Sequence, residues 1–196
     1  MIVGLTGSIG MGKSTVAEML RRQGIPVFDA DAEVRRLQGP GGLLIQAIEA
    51  MFPGTTSASG VDRPALGAAV FGDAAALARL EALVHPAVAR SRRLFLRRYR
   101  SRPIAVLDIP LLFETGGHRR LDAVLVVSAP AWKQRRRVLA RPGMTPAKFA
   151  RIRAIQVPDA VKRRSADFVI PTGGTIGQTR ASVRAILACL AARRGR

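Results

Sequence analysis

The sequence has almost no cysteine and no long apolar run, and these shortages exclude several classes of protein. Its one cysteine, Cys189, cannot form an internal disulfide, which excludes a disulfide-stabilised scaffold. This cysteine lies in an apolar helical pattern, so we expect it to be buried. No apolar run reaches the roughly 18 residues needed to cross a membrane, and the N-terminal residues indicate a strand rather than a secretory signal. We therefore expect a cytoplasmic protein without a membrane partner.

Acidic residues are also scarce, which leaves a formal net charge of +19. Such a charge is typical of nucleic-acid-binding proteins. The basic residues, however, are four lysines and 28 arginines, and the arginines are spread from Arg21 to Arg196 instead of forming one basic tail. Because a basic surface suits a small polyanionic substrate equally well, we do not expect nucleic acid to be the primary partner.

The most specific stretch is glycine-rich and follows the first apolar run. Gly7, Gly12, Lys13 and Ser14 match the pattern G-x-x-x-x-G-K-[ST], and a helical pattern follows them. In this motif the backbone N–H groups surround the phosphates, the lysine reaches the β- and γ-phosphates and the serine binds Mg²⁺. The stretch therefore predicts a nucleoside triphosphate site. Its candidate residues are Gly7, Ser8, Ile9, Gly10, Met11, Gly12, Lys13, Ser14 and Thr15.

Short apolar runs rich in β-branched residues recur along the chain, with longer helical patterns between them. Strands of this kind are typical of a parallel sheet that is buried on both faces. The fold class predicted is α/β, a doubly wound parallel five-stranded sheet in a single domain over residues 1–196. The predicted strands are Ile2–Thr6, Pro26–Phe28, Ile104–Ile109, Ala123–Val127 and Phe168–Ile170.

Residues 32–102 are too many for a simple connection between two strands. They contain no strand signal but several helical patterns, which GPGG at 39–42 and PGTTSASG at 53–60 interrupt. Asp62 and Asp73 are candidate N-caps for these helices. The segment predicts a helical insertion that is large enough to hold a substrate.

Residues 133–164 form a second long segment, which is helical and strongly basic. It is interrupted by RPGMTP at 141–146, where Thr145 is a candidate N-cap followed by proline at the first helical position. A mobile basic segment can place arginines over a triphosphate and exclude water. We expect this segment to be a lid, with Arg137 and Arg141 as its candidate ATP contacts.

Carboxylates follow the second and third predicted strands. In an open parallel sheet, ligands bind beyond the carboxyl ends of the strands. Asp29 and Asp31 follow the second strand, and Asp108, Pro110 and Glu114 follow the third. Phosphoryl transfer needs held phosphates, a metal ion and a carboxylate that positions the attacking hydroxyl. The glycine-rich loop meets the first two needs, and either Asp31 or Asp29 is the candidate for the third.

These motifs together resemble the dephospho-CoA kinase family. GLTGSIGMGKS, FDAD, HP at 85–86, DIPLLFE at 108–114 and the RAIQ…KRRSAD stretch at 153–167 occur in that family's order and spacing, from Ile2 to about Ile170. The resemblance implies a P-loop kinase fold in which residues 32–102 bind the CoA moiety. It also implies transfer of the ATP γ-phosphate, with Mg²⁺, to the 3′-hydroxyl of the dephospho-CoA ribose, the last step of CoA biosynthesis.

The resemblance implies roles for single residues as well. Asp31 matches the proposed general base, and Arg141 matches a basic lid residue that contacts ATP. Lys13 and Ser14 match the phosphate and Mg²⁺ residues, and Asp108 is a candidate outer-shell metal ligand. The candidate substrate contacts are Asp31, His85, Arg90, Pro110, Leu111 and Glu114.

The sequence departs from the family pattern at two positions. Ala89 stands where the family often has an arginine, so Arg90 or Arg93 is the candidate in its place. Thr172 stands where the family commonly has an asparagine near the nucleotide base, and we expect it to take part in ATP binding. His85 is either a substrate contact or a structural residue, and His118 is expected to be solvated.

Two other functions remain open from the sequence. Another small-molecule P-loop kinase, of the nucleoside monophosphate or shikimate type, shares the loop and a lid. An ATP-dependent nucleic-acid-binding protein would use the basic surface, and its binding would weaken steeply with salt. We expect a monomer or a weak oligomer.

Overall fold

The computed structural model describes residues 1–194, and its main feature is a sheet of five parallel strands. A separate antiparallel pair is formed by the third and fourth strands. The strands are β1 (Ile2–Thr6), β2 (Val27–Asp29), β3 (Thr56–Ser57), β4 (Gly60–Val61), β5 (Ala105–Asp108), β6 (Ala123–Ser128) and β7 (Phe168–Pro171).

Helices connect these strands, as the predicted α/β class requires. A short 3₁₀ turn, Gly117–Arg120, precedes β6. The helices are α1 (Lys13–Arg22), α2 (Ala30–Gln38), α3 (Ile45–Met51), α4 (Arg63–Val70), α5 (Ala74–Arg98), α6 (Ala131–Leu139), α7 (Pro146–Ala154), α8 (Asp159–Arg164) and α9 (Ile176–Arg194).

The main sheet has the strand order β2-β5-β1-β6-β7, which puts β1 in the middle. Val3 in β1 is aligned with Val106 on one side and with Ala123 on the other. All six residues of β6 are buried, because helices cover both faces of a doubly wound sheet. The predicted fold class and its five strands are confirmed, with strand bounds that differ by at most one residue at either end.

The core of this sheet lies against α1 and α9. Val16 and Leu20 of α1 and Val183 and Leu190 of α9 are buried in one cluster with the apolar side chains of β1 and β6. The expectation for Cys189 is wrong, because this residue is exposed. The buried face of α9 follows helical spacing through residues 183, 186 and 190, and position 189 is about 100° around the helix from position 190.

The chain divides into two compact units. One contains Met1–Phe28 and the chain from Ser101 onward, and the other contains Asp29–Arg100. The second unit has its own core, built around α3 and α5. Its buried residues are Leu37, Leu44, Ile48, Phe52, Leu66 and Ala76. Whether the predicted insertion, residues 32–102, binds a substrate stays a prediction.

One feature of the second unit was not expected from the sequence. Thr56–Ser57 and Gly60–Val61 form an antiparallel pair, although no strand was predicted between residues 32 and 102. Two-residue strands are too short to show alternation. Gly60 has φ of 104°, a left-handed conformation that favours glycine.

The caps predicted for the helices are present. Asp62 accepts a hydrogen bond from Ala65 N at 3.0 Å, and Asp73 accepts from the N–H groups of both Ala75 and Ala76 at 2.9 Å. The residues predicted as caps therefore stand at real helix starts.

None of the helices within residues 1–194 combines the length and the apolar character that a membrane span needs.

The double cap at Asp73 gives a stability prediction. Asp73→Ala leaves two N–H groups of α5 without their side-chain acceptor, so we expect the free energy of unfolding to fall by about 1 kcal/mol. Asp73→Asn is the matched control, because asparagine caps equally well and should stay within a few tenths of a kcal/mol of wild type. Urea denaturation of both variants measures the difference. Equal stability of Asp73→Ala and wild type would show that the cap does not stabilise α5.

Candidate active site

The glycine-rich loop joins β1 to α1, and its glycines are required by close contacts. A side chain at Gly7 would place its Cβ 2.8 Å from the Val127 carbonyl oxygen. Gly10 and Gly12 have φ of 77° and 90°, which other residues rarely adopt. In the described part of the chain no side chain caps the first turn of α1. An uncapped helix start that follows glycines fits a phosphate group.

The loop lysine forms an ion pair with a buried carboxylate. Lys13 Nζ lies 2.5 Å from Asp108 Oδ1, and the side chain of Asp108 is only 2% exposed. Asp108 is the last residue of β5, the strand beside β1. Lys13, which was predicted to contact the phosphates, and Asp108, which was predicted as an outer-shell metal ligand, are therefore in direct contact.

The donor set at this site fits a magnesium ion only together with phosphates. Ser14 is exposed at the start of α1. Across residues 1–194 there is no group of three or more His, Cys, Asp or Glu residues that could hold a metal. Mg²⁺ typically keeps several waters and binds to one or two protein ligands plus substrate phosphates, so such a cluster is not required.

Thr172 contacts the loop itself. Its hydroxyl donates to the carbonyl oxygen of Met11 at 2.6 Å, and its carbonyl oxygen accepts from Arg137 Nη2 at 2.7 Å. A Cβ at Gly12 would lie 3.4 Å from the Thr172 side chain. Thr172 and Arg137 were both predicted as ATP contacts. In the structure they are hydrogen-bonded to each other, and Thr172 is also bonded to the loop backbone.

Two glutamines that the sequence analysis did not select also contact the loop. Gln134 Nε2 donates to the carbonyl oxygen of Ile9 at 2.8 Å, and Ile9 N donates to Gln156 Oε1 at 3.1 Å. Gln156 lies inside the RAIQ motif, so the motif contained the signal without indicating its role. Gln134 had no local signal, because its partner is 125 residues away in sequence.

Glu114, predicted as a substrate contact, forms a buried ion pair. Lys162 Nζ lies 2.8 Å from Glu114 Oε1, and the Lys162 side chain is fully buried. Val157 N also donates to Glu114 Oε1, at 2.8 Å. Burial raises the pKa of the Glu114 carboxyl, but the Lys162 ammonium and backbone N–H groups, including that of Val157, outweigh burial and hold this pKa below its ordinary value.

The remaining candidates of the first unit differ in exposure. The Pro110 carbonyl oxygen accepts from Thr6 Oγ1 at 3.0 Å, whereas Leu111 is 39% exposed. Arg141 is exposed in the turn after α6.

His118 is half-buried, and its ring centroid lies 4.8 Å from that of Phe113, so the expectation that it is solvated is wrong. It packs there because the 3₁₀ turn places it beside the loop that follows β5.

The candidates of the second unit lie on α2 and α5. Asp29 is the N-cap of α2 and accepts from Ala32 N at 2.8 Å, while Asp31 is exposed in the first turn of that helix. His85 and Arg90 are exposed on α5. This helix is continuous through the proline that follows His85.

A P-loop between the central strand and the first helix of a parallel sheet with the strand order β2-β5-β1-β6-β7 is typical of P-loop kinases. The family model for dephospho-CoA kinase matches residues 1–178. The chain belongs to the dephospho-CoA kinase family and is a kinase.

Individual relatives agree with the family match. A dephospho-CoA kinase of Novosphingobium aromaticivorans is 64% identical over 182 residues, which cover 93% of this chain and 90% of that protein. A dephospho-CoA kinase of Mesorhizobium japonicum is 56% identical over 197 residues, which cover 100% of this chain and 99% of that protein. The crystal structure of TT1252 from Thermus thermophilus is 38% identical with a TM-score of 0.83, covering 97% of both chains. The alternative of another small-molecule P-loop kinase, of the nucleoside monophosphate or shikimate type, is therefore not favoured.

The Glu114–Lys162 ion pair predicts a stability that depends on pH. Glu114→Gln leaves a fully buried ammonium without its anion, so we expect a loss of about 3 to 5 kcal/mol near neutral pH. Because the folded-state pKa is lowered, the stabilisation by Glu114 is complete above its unfolded pKa, about 4.3. It is lost as the pH falls through the lower folded-state pKa. The difference between wild type and Glu114→Gln should therefore shrink on acidification.

The control for this prediction is a carboxylate on the surface. Glu18 pairs with Arg22 at 2.9 Å, and both side chains are half or more exposed. Glu18→Gln should change the free energy of unfolding by less than about 1 kcal/mol at any pH. Denaturation curves of both variants between pH 3 and pH 8 make the comparison. A constant difference for Glu114→Gln over that range would contradict the assignment.

Proposed function

We propose that this kinase transfers the γ-phosphoryl group of ATP, with Mg²⁺, to the 3′-hydroxyl of the dephospho-CoA ribose, which gives CoA. The observation that carries the proposal is the uncapped start of α1 behind a glycine-rich loop whose lysine lies against Asp108. The names of the relatives support the choice of acceptor. We further propose that it acts in the cytoplasm as a monomer or weak oligomer.

The loop backbone and Lys13 hold the triphosphate in this proposal. The N–H groups of Gly12 through Thr15 belong to an uncapped helix start, which favours negative charge. Lys13 would contact the β- and γ-phosphates, the Ser14 hydroxyl would hold Mg²⁺, and Asp108 would support the ion from the outer shell. Magnesium supplies neutralisation of the charge that develops on the phosphates.

Asp31 is the proposed general base. A loose transition state for phosphoryl transfer requires little proton abstraction, so the carboxylate chiefly orients the acceptor hydroxyl and takes its proton late. Two observations favour Asp31 over Asp29. The Asp29 carboxylate accepts a hydrogen bond as the cap of α2, whereas Asp31 is exposed.

The remaining candidates have different parts in this proposal. Arg141 is exposed in the turn between α6 and α7. In this proposal it supplies positive charge to the triphosphate. Arg90 and His85 contribute polar contacts to the anionic acceptor, and Leu111 contributes an apolar one. Glu114 supports the site from the interior through its ion pair with Lys162.

Replacing Lys13 tests the loop. Lys13→Met should abolish phosphoryl transfer, because the phosphates lose their cation. This variant also removes the ion pair with buried Asp108, which costs stability. The double variant Lys13→Met with Asp108→Asn is the control, since it removes both charges. We expect the double variant to regain thermal stability and to remain inactive in an assay that measures CoA formation. Activity near wild type in either variant would exclude the proposed role of the loop lysine.

Replacing the two aspartates tests the base. Asp31→Asn keeps the shape of the side chain but removes its charge, so kcat should fall by roughly 10²- to 10⁴-fold with little change in ATP affinity. Asp29→Asn should have a much smaller effect, because asparagine still caps α2. Both variants are measured at saturating ATP and dephospho-CoA. A large fall only for Asp29→Asn would reverse the assignment, and normal kcat for both would exclude a base in this pair.

A further inference from the structure

A single residue of the P-loop, Ile9, is hydrogen-bonded at both of its backbone polar groups by side chains from a distant segment. Its carbonyl oxygen accepts from Gln134 in α6, and its N–H donates to Gln156, which follows α7. We call these three residues the Ile9 clamp. The two glutamines are separated by 22 positions in sequence, with the rest of α6 and the whole of α7 between them. Both contact the same loop residue.

The chemistry of the backbone determines which end of each amide makes the contact. A carbonyl can only accept, so Gln134 must present its NH₂ group, and an N–H can only donate, so Gln156 must present its oxygen. Gln134 is 6% exposed, so water cannot readily replace its hydrogen bond. Losing a buried partner of this kind costs more than losing an exposed one.

The clamp acts next to a glycine that is in the left-handed conformation and in close contact with α6. Gly10 follows Ile9 with φ of 77°, and a Cβ at that position would lie 2.4 Å from Val138 and 3.1 Å from the Gln134 carbonyl oxygen. The apex of the loop therefore packs directly on α6. A loop that is fixed before the ligand arrives does not lose that freedom on binding.

We propose that Gln134 and Gln156 are positioning residues for the reaction, which act by fixing the P-loop through the backbone N–H and C=O groups of Ile9. They touch neither phosphate nor acceptor in this assignment. Removing either hydrogen bond lets the loop sample conformations that do not bind ATP, so the affinity for ATP falls while the chemical step at saturation is unchanged. The proposal rests on the proposed binding of ATP by this loop.

The first test uses Gln134→Met and Gln156→Met, which keep the length of the side chain and remove its polar atoms. A lost hydrogen bond should raise the Kd and KM for ATP roughly three- to tenfold. We expect kcat at saturating ATP and the KM for dephospho-CoA to stay within about twofold of wild type. Wild-type ATP affinity in both folded variants, or a fall in kcat with unchanged KM, would overturn the proposal.

The second test uses the same charge at both positions. Gln156→Glu keeps an oxygen that accepts from Ile9 N, whereas Gln134→Glu places a carboxylate against the Ile9 carbonyl. Each variant adds one negative charge beside the loop, so any repulsion of ATP by the charge itself is similar in both. We expect the KM for ATP to rise at least roughly tenfold more in Gln134→Glu than in Gln156→Glu. Equal effects would mean that charge alone acts, and the clamp would be excluded.

Hydrogen exchange of the Ile9 amide, followed by NMR without nucleotide, tests the clamp without reference to activity. Exchange should be roughly tenfold or more faster in Gln156→Met than in wild type and near the wild-type rate in Gln156→Glu. The inactive Lys13→Met variant with Asp108→Asn should keep the Ile9 amide protected. An unprotected Ile9 amide in wild type would refute the clamp, whereas activity of the lysine variant would refute only the proposed function.

Discussion

The P-loop must hold a flexible, glycine-rich backbone in one conformation before any ligand arrives, and several contacts of the first unit serve this constraint. Glycine loses more conformational freedom on folding than any other residue, and surrounding contacts must offset this entropic cost. Here the contacts come from three separate elements. Thr172 after β7 bonds to Met11, and the glutamines on either side of α7 bond to Ile9. The loop is therefore a product of tertiary structure as much as of its own glycines.

Specific contacts are also made by three of the four lysines, at buried or half-buried positions. Lys13 pairs with Asp108, Lys162 pairs with Glu114, and Lys133 donates to the carbonyl oxygen of Gly173. Arginine has a planar fork of five donors on a rigid group, whereas lysine places a compact ammonium on a flexible stem. Lysine is thus suited to these narrow sites, while the net charge of +19 comes largely from arginines.

Local signals in the sequence were sufficient for the five strands of the main sheet, the P-loop and the helix caps, because each depends on neighbouring residues. The roles of Glu114, Gln134 and Gln156 could not be found in the same way. Their partners lie 43, 125 and 147 residues away, and only the fold brings them together. Cys189 shows a different limit, since an apolar helical pattern does not by itself tell which of its positions faces the core.

The contacts of the basic segment also restrict how it can act as a lid. Gln134 and Gln156 hold two points of this segment to the loop, and closer to its end Lys162 is buried in its ion pair. Residues 135–155 between these anchors contain the exposed Arg141 and the whole of α7. The proposed closing movement, if it preserves the anchors, would therefore take place within residues 135–155. It would leave the loop apex fixed while Arg141 moves, which would separate the preorganised part of the proposed site from the part that responds to the ligand.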